Sequence, residues 1–165
     1  MRQSESDRAE QFQQILSENR ARFGRISRVY GGADNEDLVQ EILMQIWRSL
    51  PDYQQQATLS TWAYRIAINT AITWKRSSHR AKRRPPDQRL PPDQLPSSQS
   101  TCHELDLLNR FLNALSEIDQ AVLVMYLDDL TNQEIAAAMG VSHGAIRTRI
   151  SRIRDRLKHW ESDDE

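Results

Sequence analysis

The sequence predicts an all-α protein of two small helical domains, residues 1–80 and 104–165, joined by a flexible linker over residues 81–103, with a helix-turn-helix in the second domain. Three observations carry this. Apolar residues recur at three- and four-residue intervals in both halves, and the period-two alternation of strands is absent. Between the halves, Pro85, Pro86, Pro91, Pro92 and Pro96 lead into Ser97, Ser98, Ser100 and Thr101, a run that sustains neither a helix nor a central strand. Near the end, Gly140-Val141-Ser142 separates two periodic segments, the second strongly basic.

The first helix is read from Phe12, Ile15, Leu16, Asn19, Phe23, Ile26 and Tyr30, and Gly31-Gly32 ends it. A second helix starts near Asp34, an acceptable N-cap, and runs to about Leu50 before Pro51; Leu38, Ile42 and Ile46 form its stripe, widened by Leu43 and Trp47. Gln54 to Ala57 is a polar loop. Thr58 or Ser60 can then cap a third helix over about Thr61 to His79, with Trp62, Ala63, Ile66, Ala67, Asn69, Thr70 and Trp74 on one broad side and Arg65, Ile68, Ile72 and Arg76 on another. After the linker, helices resume near Glu104 (Leu105, Leu108, Phe111, Leu112, Leu115) and from Asp119 (Val122, Val124, Met125, Tyr126).

Thr131 caps the next helix, and Glu134 three residues on completes a capping box. Ala136 is small enough to let a crossing helix approach, Gly140 can take the positive φ that ends a helix, and Ser142 can cap the final one. In that last helix Ile146, Ile150, Ile153 and Leu157 make a buried stripe, surrounded by His143, Arg147, Arg149, Arg152, Arg154, Arg156 and Lys158. Such a helix can enter a DNA major groove with its N-terminal turns, where His143, Ala145, Arg147 and Thr148 reach base edges or phosphates. A solvated basic helix in a small bundle is the plainer alternative.

Composition narrows the classes. With 38% hydrophobic residues, 165 positions allow one domain or two small ones without a large core. The net charge of -1 hides segregation: seven Lys/Arg lie between Lys75 and Arg89, a second basic block lies beyond Gly140, and acids gather at Asp34, Glu36, Asp37 and Glu41 and at the C-terminus. Local field, rather than the sum, decides what such a chain binds. A lone Cys102 forms neither an internal disulfide nor a CxxC metal site. With no long apolar run and no apolar signal-peptide core, no membrane insertion and a cytoplasmic location are expected.

The acids near Asp34 lack a histidine that would complete a dimetal pattern, and acids at a helix start are favoured by the helix dipole. A solvated helix start or a protein-docking face is expected there, and no metal. Tyr53, Trp62, Tyr64 and Trp74 are either core aromatics or, alternating with Arg65, Asn69, Lys75 and Arg76, a surface that stacks unpaired bases while its cations hold phosphates. His79 and His143 have no nucleophile at a persuasive spacing, and no P-loop or dinucleotide motif occurs. No catalytic residues and no cofactor are expected.

Asp34 to Trp47, DNEDLVQEILMQIW, Thr61 to Arg80, TWAYRIAINTAITWKRSSHR, and the run from LSEIDQ to RIRDRL resemble, in that order, segments of the bacterial sigma factors of the sigma-70 family, extracytoplasmic function (ECF) group. The resemblance spans nearly the whole chain outside the termini and linker. It implies a non-enzymatic subunit that binds core RNA polymerase, directs it to promoters and assists their opening. It further implies that Asp34, Glu36, Asp37, Gln40 and Glu41 dock on the polymerase. Tyr53, Tyr64, Arg65, Asn69, Lys75, Arg76 and Arg80 would contact the single-stranded -10 region, the loop over Tyr53 to Ser60 pocketing a flipped base. Ser142, His143, Arg147, Thr148, Arg149 and Arg152 would contact the -35 element. The chain departs from the family pattern at Ala63 (usually Leu), Ile68 (often Arg) and Thr73 (commonly Asp), and in carrying Gly144-Ala145-Ile146 where GTV is usual. An anti-sigma factor is an implied partner. A stand-alone helix-turn-helix regulator is the alternative, but it leaves the acidic and the aromatic-basic helices without a task.

Overall fold

The computed structural model describes residues 2–82 and 103–163, so the linker expected over 81–103 lies almost wholly outside the described residues, as do the side chains of Arg80 and Leu105. Every regular element among the described residues is helical: α1 (Arg2–Gly31), α2 (Asn35–Ser49), α3 (Leu59–Lys82), α4 (His103–Ala114), α5 (Glu117–Leu127), α6 (Asn132–Met139) and α7 (His143–Asp163), with single 3-10 turns at Gly32–Asp34 and Leu50–Asp52. They form two helical regions, α1–α3 and α4–α7.

In the first region α1, α2 and α3 pack pairwise around Ile15, Phe23, Ile26, Leu38, Ile42, Ile46, Ala67 and Ile68, all essentially solvent-free. Helix α1 begins ten residues before the apolar stripe does. Its early turns are held from outside: Arg8 lies over the Trp47 ring, 4.2 Å from its centroid, and donates to the Trp47 carbonyl, while Phe12 meets the same ring edge-on at 5.2 Å. Gly32, at φ +58, makes the left-handed exit. Asp34 occupies the N-cap position of α2 as expected, but its side chain makes no capping bond; Asn35 Nδ2 donates instead to the Gly32 carbonyl at 2.9 Å.

For α3 the cap is Thr58, whose Oγ1 accepts from the Thr61 amide at 3.2 Å. Ser60 instead donates to Asn19 Oδ1 at 2.8 Å, and Asn19, fully buried on α1, donates to the Ile15 carbonyl at 3.1 Å. The helix presents Ala63, Tyr64, Ala67, Ile68 and Ala71 inward, so the buried face takes Ala63 and Ala67 from one expected side and Ile68 from the other. Its alanines permit close approach to α1 and α2, so the large Trp62 and Trp74 are left half-buried at the edges. Ile68, expected on the other face, fills the centre.

In the second region Ser116 caps α5, three residues before the expected start at Asp119, by accepting from the Asp119 amide at 3.2 Å. The capping box at α6 forms: Thr131 Oγ1 accepts from the Glu134 amide at 3.2 Å, and Glu134 Oε2 accepts from the Thr131 amide at 2.8 Å. The Thr131 amide and the Thr131 hydroxyl, both donating to it, hold the Glu134 carboxyl below its ordinary pKa. Gly140 sits at φ 68, ψ 33, and the Val141 amide reaches back to the Ala136 carbonyl at 3.1 Å, closing α6. Ser142 Oγ then accepts from the Ala145 amide at 3.2 Å and opens α7. Ile146, Ile150 and Ile153 are buried; Leu157, in register with them, is 37% exposed.

Candidate nucleic-acid interface

Helix α7 carries the cations, and the structure divides them. Arg147 and Arg152 are exposed and make no hydrogen bond or ion pair within the described chain, and His143 is exposed at the first turn. Arg149 is tied to Asp119 of α5 at 2.5 Å. Arg154 donates to the Tyr126 hydroxyl at 2.5 Å with its guanidinium 5.2 Å from that ring's centroid, and Arg156 donates to the Ala114 carbonyl at 3.1 Å. The Thr148 hydroxyl turns back to the Gly144 carbonyl at 3.1 Å, and Ser142 is engaged as the cap. The first three turns of α7 therefore leave His143, Arg147 and Arg152 exposed, near a helix N-terminus that carries partial positive charge.

On the first region, Tyr53 and Trp62 stack at a tilt, ring centroids 5.1 Å apart, and the Tyr53 hydroxyl donates to the Ala57 carbonyl at 2.7 Å, so the loop is braced around its own aromatic ring. A cleft of about 200 Å³ opens beside them, lined by Tyr53, Gln56, Trp62 and Arg65 and closed on its far side by Ala137 and Ala138 of α6. Arg65 and Asn69 are exposed.

Tyr64, Lys75 and Arg76, the other expected contacts described along α3, are each engaged by a partner side chain, and of the three Arg76 stays exposed. Tyr64 is fully buried, and its hydroxyl donates to Asp128 Oδ2 at 2.7 Å. Burial pushes that phenol far above its ordinary pKa, and the hydrogen bond to Asp128 adds to the shift, so it stays a donor. Lys75 Nζ donates to Gln120 Oε1 at 2.9 Å and stands 5.5 Å from the Tyr30 ring centroid; burial lowers its pKa while Glu117 pulls it back up. Arg76 pairs with Glu117 at 2.6 Å. The hydrogen-bond and ion-pair partners of Tyr64, Lys75 and Arg76 all lie in the second helical region.

The acidic start of α2 is open: Glu36, Asp37 and Asp34 flank its first turn, Gln40 stands one turn on, and Glu41, half-buried, accepts from Gln45 at 2.7 Å. Leu38, Ile42 and Ile46 anchor the opposite side of the helix in the core, which fixes the acids outward. Among the described residues no group of three or more His, Cys, Asp or Glu is placed to hold a metal ion, and no helix is long and apolar enough to cross a membrane.

Residues 18–81 match the family model described as Sigma-70 region 2, and residues 105–157 match Sigma-70, region 4. The chain is 30% identical over 148 residues to the ECF RNA polymerase sigma-E factor of Escherichia coli, covering 80% of this chain and 76% of that protein. It is 32% identical over 133 residues to the ECF sigma factor SigE of Mycolicibacterium smegmatis, covering 77% of this chain but spanning only about half, 51%, of that longer protein. The chain belongs to the sigma-70 family, in its ECF group.

A sigma factor is a non-catalytic subunit that directs RNA polymerase to promoters, and that is the function of this chain. Its fold is that of the sigma factor RpoE of Bartonella quintana, solved with the anti-sigma factor NepR, at a TM-score of 0.69 and 22% identity over 93% of this chain and 98% of that one. CnrH, solved with the cytosolic domain of CnrY, superposes equally well, with a TM-score of 0.69. In this sigma factor, region 2 ends within α3 and region 4 begins within α4. Sequence reasoning passed over Arg25, Glu117, Gln120 and Asp128, which join the two regions. The available signal was the placement of Gln120 and Asp128 at the edges of the apolar Ala121–Leu127 run, where polar side chains need partners.

Proposed function

We propose that the chain docks on core RNA polymerase through Asp34, Glu36, Asp37, Gln40 and Glu41, and that domain 1–80 opens and holds the -10 element. Domain 104–165 reads the -35 element through the first turns of α7, and residues 81–103 tether the two. The observation that carries this is the order of the family matches, region 2 on α1–α3 and region 4 on α4–α7, combined with the acidic start of α2 and the unpaired Arg147 and Arg152 of α7. His143, Arg147 and Arg152 make the groove contacts. Ser142, Thr148 and Arg149 position α7 and reach DNA only with the capacity their internal bonds leave free. On the first domain Tyr53, Arg65 and Asn69 meet the unpaired strand, with Tyr64, Lys75, Arg76 and Arg80 joining when the second domain moves away. The site of action is the cytoplasm, and an anti-sigma protein is the regulatory partner, a reading supported by the likeness to RpoE, solved with the anti-sigma factor NepR, and to CnrH, solved with the cytosolic domain of CnrY.

The test is a pull-down and run-off transcription assay with purified chain and core polymerase. Binding and promoter-specific transcripts are expected; absence of polymerase binding refutes the reading, and duplex binding without it favours the stand-alone regulator. Arg147→Ala should weaken -35 duplex binding by about 1–3 kcal/mol and leave core binding intact.

A further inference from the structure

The two regions meet through Arg25 and Tyr64 on Asp128, Lys75 on Gln120 and Arg76 on Glu117, and at Lys75 this seam opens into a cavity of about 500 Å³. Its walls come from the end of α1, the turn into α2, α3 and α4. Tyr30 and Leu112, both buried, supply an apolar wall, and the Tyr30 hydroxyl is already spent on the Glu117 carbonyl at 2.9 Å. The charged residues of the lining are Arg28, Lys75 and Asp34, two cations against one carboxylate. The charge of Lys75 is under-compensated. Half-buried, it donates to the neutral amide oxygen of Gln120 at 2.9 Å, while Glu117 is taken by Arg76, and among the described residues no carboxylate lies within ion-pair distance of its ammonium. Burial lowers its pKa more than Glu117 restores it. An ammonium has three donors, so two remain after Gln120. The side chains of Arg28 and Asp34 are exposed and make no hydrogen bond or ion pair among the described residues. A cation that has lost part of its water and gained no opposite charge favours an anion beside it.

From this we infer that the cavity is a binding site for a small aromatic monocarboxylate, its carboxylate taken by Lys75 and Arg28 and its ring set against Tyr30 and Leu112. A volume of about 500 Å³ falls within the range of about 300–1,000 Å³ usual for small-molecule sites, which combine apolar walls with a few polar groups in the same way. Asp34 decides the charge of the ligand. With it the lining carries a net charge of about +1, which matches a monoanion and repels the second charge of a phosphate monoester. Ser78 and Asn113, lining the same cavity, add a hydroxyl and an amide as donors to the carboxylate oxygens. The site stands whether or not α3 meets the -10 strand. A ligand there touches α1 and α3 of one region and α4 of the other, so its binding is coupled to the contact between them.

Three probes that share a ring and differ in charge test the site on the full chain: 2-naphthoate, 2-naphthyl phosphate and 2-naphthol, each followed by fluorescence titration and by amide spectra at about pH 8, where the phosphate is a dianion. 2-Naphthoate should bind saturably with a Kd below about 1 mM and shift the amides of residues 28–34 and of Asn113. The neutral naphthol and the dianionic phosphate should each bind at least about fivefold more weakly. Lys75→Gln and Arg28→Gln should each weaken 2-naphthoate by about three- to tenfold with far-UV circular dichroism unchanged. Arg28 is exposed and unpartnered among the described residues, so its removal spares the fold. Asp34→Asn should raise affinity for the phosphate more than for the carboxylate. Equal binding of 2-naphthol would reduce the cavity to an apolar cleft and overturn the anion site, and tighter binding of the phosphate to the wild type would overturn the carboxylate assignment. Undiminished affinity in both cation variants would overturn the roles of Lys75 and Arg28. No saturable binding, or shifts confined to other residues such as those of the Tyr53 cleft, would overturn the site itself.

Discussion

Gly140→Ala and Gly144→Ala place the same methyl group at two positions of the helix-turn-helix and should move its stability in opposite directions. At Gly140 the backbone is left-handed, φ 68 and ψ 33, where an L side chain costs about 1–2 kcal/mol. A Cβ there would meet Arg65 Nη2 at 3.8 Å, an ordinary contact, so the penalty is backbone strain alone. Loss of glycine's unfolded-state freedom offsets up to about 1 kcal/mol, leaving a net destabilisation of about 0.5–1.5 kcal/mol. At Gly144, in the first turn of α7, no heavy atom lies within 4 Å of an added Cβ and φ is not positive, so alanine should stabilise by about 0.5 kcal/mol. Amide exchange of the segment 132–150 in the full chain reads the difference. The Val141 amide, bonded to the Ala136 carbonyl, should lose protection by roughly three- to tenfold in Gly140→Ala and keep or gain it in Gly144→Ala. Shifts of the same sign in both variants would refute the argument, because it makes local φ the deciding variable.

Asn19→Ala should destabilise the chain by about 1–3 kcal/mol, since it strips a fully buried side chain of its bonds to Ile15 and Ser60; an unchanged urea midpoint would contradict this. Thr131→Ala removes the α6 cap and should cost about 1 kcal/mol, read as lost amide protection at residues 132–135. Because Glu134 titrates below its ordinary pKa in the folded chain, its share of the capping box is fully present above the unfolded value of about 4.3 and fades as pH falls through the depressed folded value. Glu134→Gln should therefore flatten the acid limb of the stability profile, and an identical limb in both proteins would exclude the linkage.

What was legible in the sequence is what local geometry decides. Leu38, Ile42 and Ile46 announce a buried helix face by spacing alone, and Thr131 with Glu134, Gly140 and Ser142 announce the ends of α6 and the start of α7, because capping is settled within a few residues. The inward face of α3 was not legible. Its large Trp62 and Trp74 suggested one face, whereas Ala63, Ala67 and Ala71 admit the neighbouring helices more closely and draw Tyr64 and Ile68 inward. The Tyr64 partner, Asp128, is 64 residues away in sequence, and no periodicity encodes such a pairing. Leu157 has the right phase for burial and is still 37% exposed, since spacing tells which face of a helix is apolar but not how far along it the neighbours reach.

The same distinction governs the basic helix. Counting cations on α7 suggests one broad phosphate-binding face, yet Arg149, Arg154 and Arg156 are spent on Asp119, Tyr126 and Ala114. These bonds lash α7 to α5 and to the end of α4, and they fix the angle at which its first turns project. A recognition helix needs both kinds of arginine: ones free to meet DNA, and ones that hold the helix rigid so that the free ones arrive in register. Arg147 and Arg152 are the free pair, both exposed and within the first three turns. On the proposed reading of α7 as the helix that meets the -35 element, selectivity resides in two or three side chains, while the remaining cations raise the local field and set the geometry from behind.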